Sequence, residues 1–210
     1  MSHSTPLSRS VLRLGLLAAG VAAAATAVPA QAAEITMDNV RTTANHHHHV
    51  QFRDSFAVHQ LGRVGAAAVR NQATATGAGC TADDACRSVA LSFQIVTLAG
   101  QHVHLNAVND GTAVNDHCTG CQTLAGAYQF VVSTPSPLHL SAATRGRLAD
   151  VHRRLDALGR SQLPATDLKH QTDALAAEVT SILKDAVAAA NHPAERAVTV
   201  HRHLEGWPGH

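Results

Sequence analysis

An eleven-residue block that occurs twice constrains this chain more than any other feature. Residues 86–96 read Cys-Arg-Ser-Val-Ala-Leu-Ser-Phe-Gln-Ile-Val, and thirty-five positions later residues 121–131 read Cys-Gln-Thr-Leu-Ala-Gly-Ala-Tyr-Gln-Phe-Val. Cysteine, alanine, glutamine and the final valine keep their places, while Ser88/Thr123, Val89/Leu124, Phe93/Tyr128 and Ile95/Phe130 change only within a type. A further cysteine, Cys80 or Cys118, precedes each copy, so the four cysteines belong to two copies of one unit. A repeated unit with its own cysteine pair reads as a stapled structural module.

The beginning of the chain sets the redox context of those cysteines. Arg9 and Arg13 precede an apolar run from Leu14 to Val28 that ends at Ala30-Gln31-Ala32, which predicts a secretory signal peptide over residues 1–32 cleaved after Ala32. A membrane anchor would need about 20 apolar residues, and Glu34 follows too soon. The two arginines are not adjacent, which favours the general secretory route over the twin-arginine one. The expectation is a secreted, extracellular protein with no transmembrane anchor after cleavage. Outside the cell, Cys80, Cys86, Cys118 and Cys121 are expected to form two disulfides, ahead of a four-thiolate zinc site or thiol exchange at Cys118-Thr119-Gly120-Cys121. Three pairings are open. Repeat symmetry favours Cys80–Cys86 with Cys118–Cys121, whereas loop-closure entropy favours pairing between copies, at about 4 kcal/mol per cross-link against about 2 for the short loops.

Removal of residues 1–32 leaves 178 residues, with 14 Lys plus Arg against 15 Asp plus Glu. That balance implies no basic surface for nucleic acid. Aromatic residues are few (Phe52, Phe56, Phe93, Tyr128, Phe130 and Trp207), so the core rests on Val, Leu, Ile and Ala. Such a core is a modest source of stability, which makes cross-links useful.

Residues 33–79 show no clear period and carry His46-His47-His48-His49; they read as a loosely structured, His-rich N-terminal arm. Residues 80–135 hold the repeat, where Val89, Leu91, Phe93 and Ile95 alternate with Ser88, Ala90, Ser92 and Gln94 as in a strand. A helical stripe through Leu124, Ala125, Tyr128 and Val131 competes, but the β-branched and aromatic content favours strands. Asn109-Asp110-Gly111 is a turn signal. Within residues 138–190, Leu148, Val151, Leu155 and Leu158 follow a plausible N-cap, Ser141, at heptad spacing, and Leu168, Leu175 and Ile182 form a second heptad row. The two rows predict an antiparallel helical hairpin whose arms carry opposite charge, Arg145, Arg147, Arg153, Arg154 and Arg160 outnumbering the acids of the first and Asp167, Asp173, Glu178 and Asp185 outnumbering the lysines of the second. A His-containing tail, 191–210, includes a possible edge strand from Val198 to Leu204. The expected class is therefore α+β: a small disulfide-stapled repeat domain with a C-terminal antiparallel helical hairpin.

The pattern Cys…Cys-x-[Ser/Thr]-[Val/Leu]-Ala-x-[Ser/Ala]-[Phe/Tyr]-Gln, followed by a helical hairpin, resembles a group of uncharacterised exported proteins of high-GC bacteria. The resemblance covers roughly residues 80–190. Some members are labelled peptide zinc metalloproteases. That activity finds no matching residues here, because the chain has no His-Glu-x-x-His to supply zinc ligands and a general base. It also has no Gly-x-Ser-x-Gly elbow, phosphate loop or dinucleotide fingerprint.

The 16 histidines of the full chain are its remaining anomaly. His102-x-His104 and His201-x-His203 would each place two imidazoles on one strand face, and with His46, His47, His48 and His49 they offer ligands for Zn, Cu or Ni. A solvated polar tract and ordinary surface histidines are the simpler reading. The expected function is a secreted or envelope-associated, non-enzymatic structural or binding module without a cofactor, its partner unknown, another envelope or secreted protein being one possibility. The alternatives are a His-rich metal-binding or metal-buffering protein and a Cys-x-x-Cys thiol–disulfide oxidoreductase.

Overall fold

The computed structural model describes residues 32–207. The signal-peptide reading therefore lies, apart from Ala32, outside the described residues, as do Pro208, Gly209 and His210 at the end of the tail. The chain runs β1 (Ala33–Asn45), β2 (Val50–Arg63), β3 (Ala66–Ala78), β4 (Cys86–Ala99), β5 (His104–Asp116), β6 (Cys121–Thr134), α1 (Ala142–Gly159), α2 (Ala165–Ala189), α3 (Ala194–Ala197) and β7 (Val198–Gly206).

Odd and even strands go to different sheets. One sheet has the order β1-β3-β5 and the other β2-β4-β6-β7, with every pairing parallel except β6 to β7. A chain that alternates between two sheets, and pairs each strand with the next one in the same sheet, is winding. β1–β2, β3–β4 and β5–β6 are three successive coils of a flattened β-solenoid. The duplicated block lies side by side in this winding: Cys86 stands opposite Cys121, Phe93 opposite Tyr128 and Gln94 opposite Gln129. β2 lies beside them in the first coil, with Phe56 opposite Phe93.

Three layers result. Val89, Leu91, Phe93, Ile95, Leu124, Tyr128 and Phe130 point away from the first sheet and pack against Leu148, Val151, Leu155, Leu168, Val179, Ile182 and Leu183 of α1 and α2. Ser141 caps α1 by accepting a hydrogen bond from the Thr144 N–H at 3.1 Å. Arg147–Asp185 (2.8 Å) and Arg154–Glu178 (2.6 Å) link the helices in antiparallel sense. Between the two sheets the filling is different: small residues such as Ala73, Ala75, Ala90, Ala125 and Ala127, and buried polar ones. Asn71 donates to Asn109 Oδ1 (2.9 Å) and to the Tyr128 carbonyl (3.1 Å), while Ser92 donates to Asn71 Oδ1 (2.5 Å). Gln129 donates to Gln94 Oε1 (2.8 Å). Pairing of this kind offsets the cost of burying an amide.

The expected α+β class is overturned. Of the described residues 52% are strand and 27% helix, in seven strands and three helices, so the molecule is mainly β rather than a small repeat domain attached to a helical hairpin. Residues 33–79, expected to be a loose arm, hold strands β1 to β3 between Ala33 and Ala78. β1 and β3 escape a hydrophobic pattern because inward positions such as Ala67, Asn71, Ala73 and Ala75 are small or polar, in an interior where the larger buried side chains, Val69, Val96, Leu98 and Val131, cluster in one part. Asn109-Asp110-Gly111 is likewise no turn but the middle of β5. Asn109 is an interior amide, and Gly111 is small because a Cβ there would lie 2.8 Å from the His203 carbonyl oxygen.

Candidate functional site

The winding gathers most of the chemically distinctive residues on one rim. The turn after β1 contains His46–His49, the loop after β3 contains Cys80 to Ala85, and the turn after β5 contains His117 to Gly120. All three connect the first sheet to the second at the same end, so they stack as the coils do. The first is built by Asn45, whose Oδ1 accepts from the N–H groups of His47 (2.9 Å) and His48 (3.0 Å). The His49 carbonyl accepts from the Arg87 N–H (2.6 Å), and its ring lies 2.6 Å from Asp84. The second and third turns are joined more tightly: the Cys80 carbonyl accepts from Thr119 and Gly120 (3.0 and 3.3 Å), and Cys86 donates to the Gly120 carbonyl (2.9 Å).

At the centre of this rim are two disulfides, Cys80–Cys86 and Cys118–Cys121, with Cα separations of 5.9 and 5.6 Å. Both bonds close within a copy of the repeat. Cys80 and Cys86 are buried against Ala44, while Cys118 and Cys121 are half-buried outside them. The protein is thus a disulfide-stabilised module, each short loop contributing about 2 kcal/mol by restricting the unfolded chain.

The histidines singled out from the sequence do not converge. His46–His49 are exposed on the cysteine rim, His102 and His104 lie at the opposite rim before and at the start of β5, and His201 and His203 are on β7, where His203 comes within 3.2 Å of Asp110. Among the described residues, three or more metal-ligating groups lie within 4.8 Å of one another only at Cys80, Cys118 and Cys121.

Two further constellations went unnoticed in the sequence. Tyr128, fully buried, donates to Asp173 of α2 at 2.7 Å, and Arg202 of β7 holds the same carboxylate through two bonds at 2.6 and 2.8 Å. Burial and then the bond to Asp173 push the Tyr128 hydroxyl far above its ordinary pKa. Burial opposes ionisation of Asp173, but the hydrogen bonds from Arg202 and Tyr128 outweigh it and hold the carboxyl below its ordinary value. The triad pins helix layer, sheet and final strand together. The second constellation is His152, which lies 2.8 Å from Asp54 and stacks on Phe56 with centroids 5.1 Å apart, beside a cavity of about 310 Å³ between β2 and α1. Only separation in the sequence hid these contacts; no local motif marks them.

The two faces of the molecule are unequal. α1 and α2 cover the second sheet, but no element among the described residues covers the outward side of β1-β3-β5. It carries Ile35 (77% exposed), Met37 (60%) and Val114 (40%), along with Arg41, Arg70, Asp110 and a group of threonines at Thr43, Thr74, Thr76 and Thr112. Ile35, Met37, Ala68 and Val108 border a shallow depression of about 280 Å³. No described helix is long and apolar enough to cross a membrane. Comparison with protein-family models, curated proteins and solved structures finds no match for the chain.

Proposed function

We propose that the protein is an exported, non-enzymatic binding module whose contact surface is the bare face of β1-β3-β5, and whose partner is another secreted or envelope protein. The observation that carries this reading is the asymmetry of the two sheets. One is covered by a helix layer, while the other holds large exposed apolar side chains, with charges of both signs, on a rigid cross-linked frame. The face measures about 43 Å along thirteen-residue strands lying about 4.8 Å apart, a regular platform of the kind that contacts a protein surface. The signal-peptide pattern, the disulfides and the resemblance of the cysteine block to exported proteins support the compartment.

Photo-crosslinking in the producing cell tests it. A photoreactive residue at Met37 is expected to capture a discrete secreted or envelope protein, while the same residue at Asp185, on the exposed helix surface, captures none. Equal yields at both positions, or no adduct at Met37, would contradict the assignment, as would a chain whose amino terminus remains uncleaved in the cytoplasm.

A further inference from the structure

The two disulfides are not independent staples. Three of their sulfurs, those of Cys80, Cys118 and Cys121, lie within 4.8 Å of one another, and the fourth, on Cys86, is bonded to Cys80 and stands opposite Cys121 in the β4–β6 ladder. What holds the four side chains together is mainly backbone: the bonds of Thr119 and Gly120 to the Cys80 carbonyl, the bond of Cys86 to the Gly120 carbonyl, and the ladder that begins at Cys86 and Cys121. None of these contacts requires an S–S bond. Opening the disulfides therefore leaves four thiols confined to one corner rather than released.

We propose that this corner is a redox-gated soft-metal site that takes one zinc ion when both disulfides are reduced. In the reduction each disulfide accepts two electrons and two protons from a dithiol reductant, which becomes a disulfide in turn. Zinc then binds the four thiolates with release of the four thiol protons; a disulfide oxidant returns each thiolate pair to a disulfide, taking up two electrons and two protons to become a dithiol, and the ion is expelled. Tetrahedral zinc holds thiolates at about 2.3 Å, which sets sulfur–sulfur separations of about 3.8 Å. Three sulfurs are already within 4.8 Å, and side-chain rotation supplies the remainder once the S–S bonds are open. A four-thiolate set selects zinc over hard cations, and the spacing, Cys-x5-Cys with Cys-x2-Cys, gives two short chelating loops. The histidines are not needed, because no group of them joins the sulfurs.

Cobalt(II) is the probe. The purified chain, reduced with a water-soluble phosphine and kept anaerobic, is titrated with cobalt and followed by visible absorption and circular dichroism. The expected result is saturation at one cobalt per chain with the intense bands of tetrahedral four-thiolate cobalt, displacement by zinc, and no bands from the oxidised chain. The Cys118→Ser/Cys121→Ser variant should lose the spectrum, Cys86→Ser should weaken binding more than about tenfold, and a His46–His49 to alanine variant should bind as the parent does. The proposal is overturned by absence of binding at micromolar cobalt or by bands typical of nitrogen and oxygen ligands. It is equally overturned by a spectrum that survives Cys118→Ser/Cys121→Ser, or by loss of the β-sheet signal on reduction that metal does not restore.

Discussion

Gln129 donates its side-chain amide to Gln94 across the β4–β6 ladder at 2.8 Å, and Gln94 donates in turn to Asp38 at 2.7 Å. One polar column thus runs from the third coil to the first through the thin interior. It stops at Gln129 Oε1, which has no partner among the described residues; the neighbouring strand, β7, places His201 opposite Gln129. Replacing Gln129 with leucine keeps the volume but leaves Gln94 Oε1 and the Val108 carbonyl without their donor. The expected loss is about 2 kcal/mol in urea denaturation, and a midpoint equal to the parent's would show the column to be energetically idle.

The first coil carries charges where the others do not. Asp38, Arg53 and His59 hold the register positions, on the inter-sheet side, occupied by Asn71, Ala90 and Val96 in the second coil and by Asn109, Ala125 and Val131 in the third, and Arg53 is exposed at the open edge. Inward charges on edge strands discourage a second chain from extending the sheets. The triple variant Asp38→Asn, Arg53→Ala, His59→Val should therefore associate through its first coil. Light scattering coupled to size exclusion is expected to show dimers or larger species, and a variant that stayed as dispersed as the parent would deny the edge its protective role.

Stability should fall at both ends of the pH scale through the Tyr128–Asp173–Arg202 triad. Asp173 has a lowered pKa when folded, so its contribution is present above the unfolded carboxyl value of about 3.9 and is lost as pH falls through the folded value. Tyr128 has a raised pKa, so its contribution is complete below about 10 and is lost as pH rises toward the folded value. Asp173→Asn should start less stable at neutral pH and lose less than the parent between about pH 5 and pH 2. Parallel curves for the two proteins in denaturation across that range would remove the triad from the acid response.

Two glycines give opposite expectations for the same substitution. At Gly111 a Cβ would meet the His203 carbonyl oxygen at 2.8 Å and the Ala125 carbonyl oxygen at 3.1 Å, both backbone atoms that cannot turn aside. Gly111→Ala should cost about 1–3 kcal/mol. At Gly146, exposed in α1 with nothing within 4 Å, alanine should stabilise by about 0.5–1 kcal/mol. Thermal melts of the two variants are expected to shift in opposite directions.

How much of this was visible in the residues depended on what each strand faces. β4 and β6 could be read because Val89, Leu91, Phe93 and Ile95 alternate against a thick helix-covered core, and α1 and α2 because their leucines keep heptad spacing. The cysteine pairing followed repeat symmetry rather than loop entropy, since each pair closes inside its own coil. β1, β3 and β5 were illegible for the converse reason: a thin interior selects Ala, Thr, Asn and Gly, which look like loop composition. The offset of thirty-five was legible but read as a stapled module rather than as winding, and a repeat aligned residue for residue across β4 and β6 is what a winding chain produces. The contacts of Tyr128 with Asp173 and of His152 with Asp54 join residues 45 and 98 positions apart, beyond any local pattern.

Hydrogen–deuterium exchange across residues 66–78 and 86–99 tests the three-coil winding most directly. β3 is the central strand of its sheet, paired on both sides over its whole length, and β4 is an inner strand of the other, paired on both sides from Arg87 to Ala99. The expected result is slow, comparable exchange in both segments, since amides in doubly paired strands open only with large parts of the fold. Immediate, complete exchange of residues 66–78 beside a protected 86–99 would contradict it and return the first part of the chain to a loose arm.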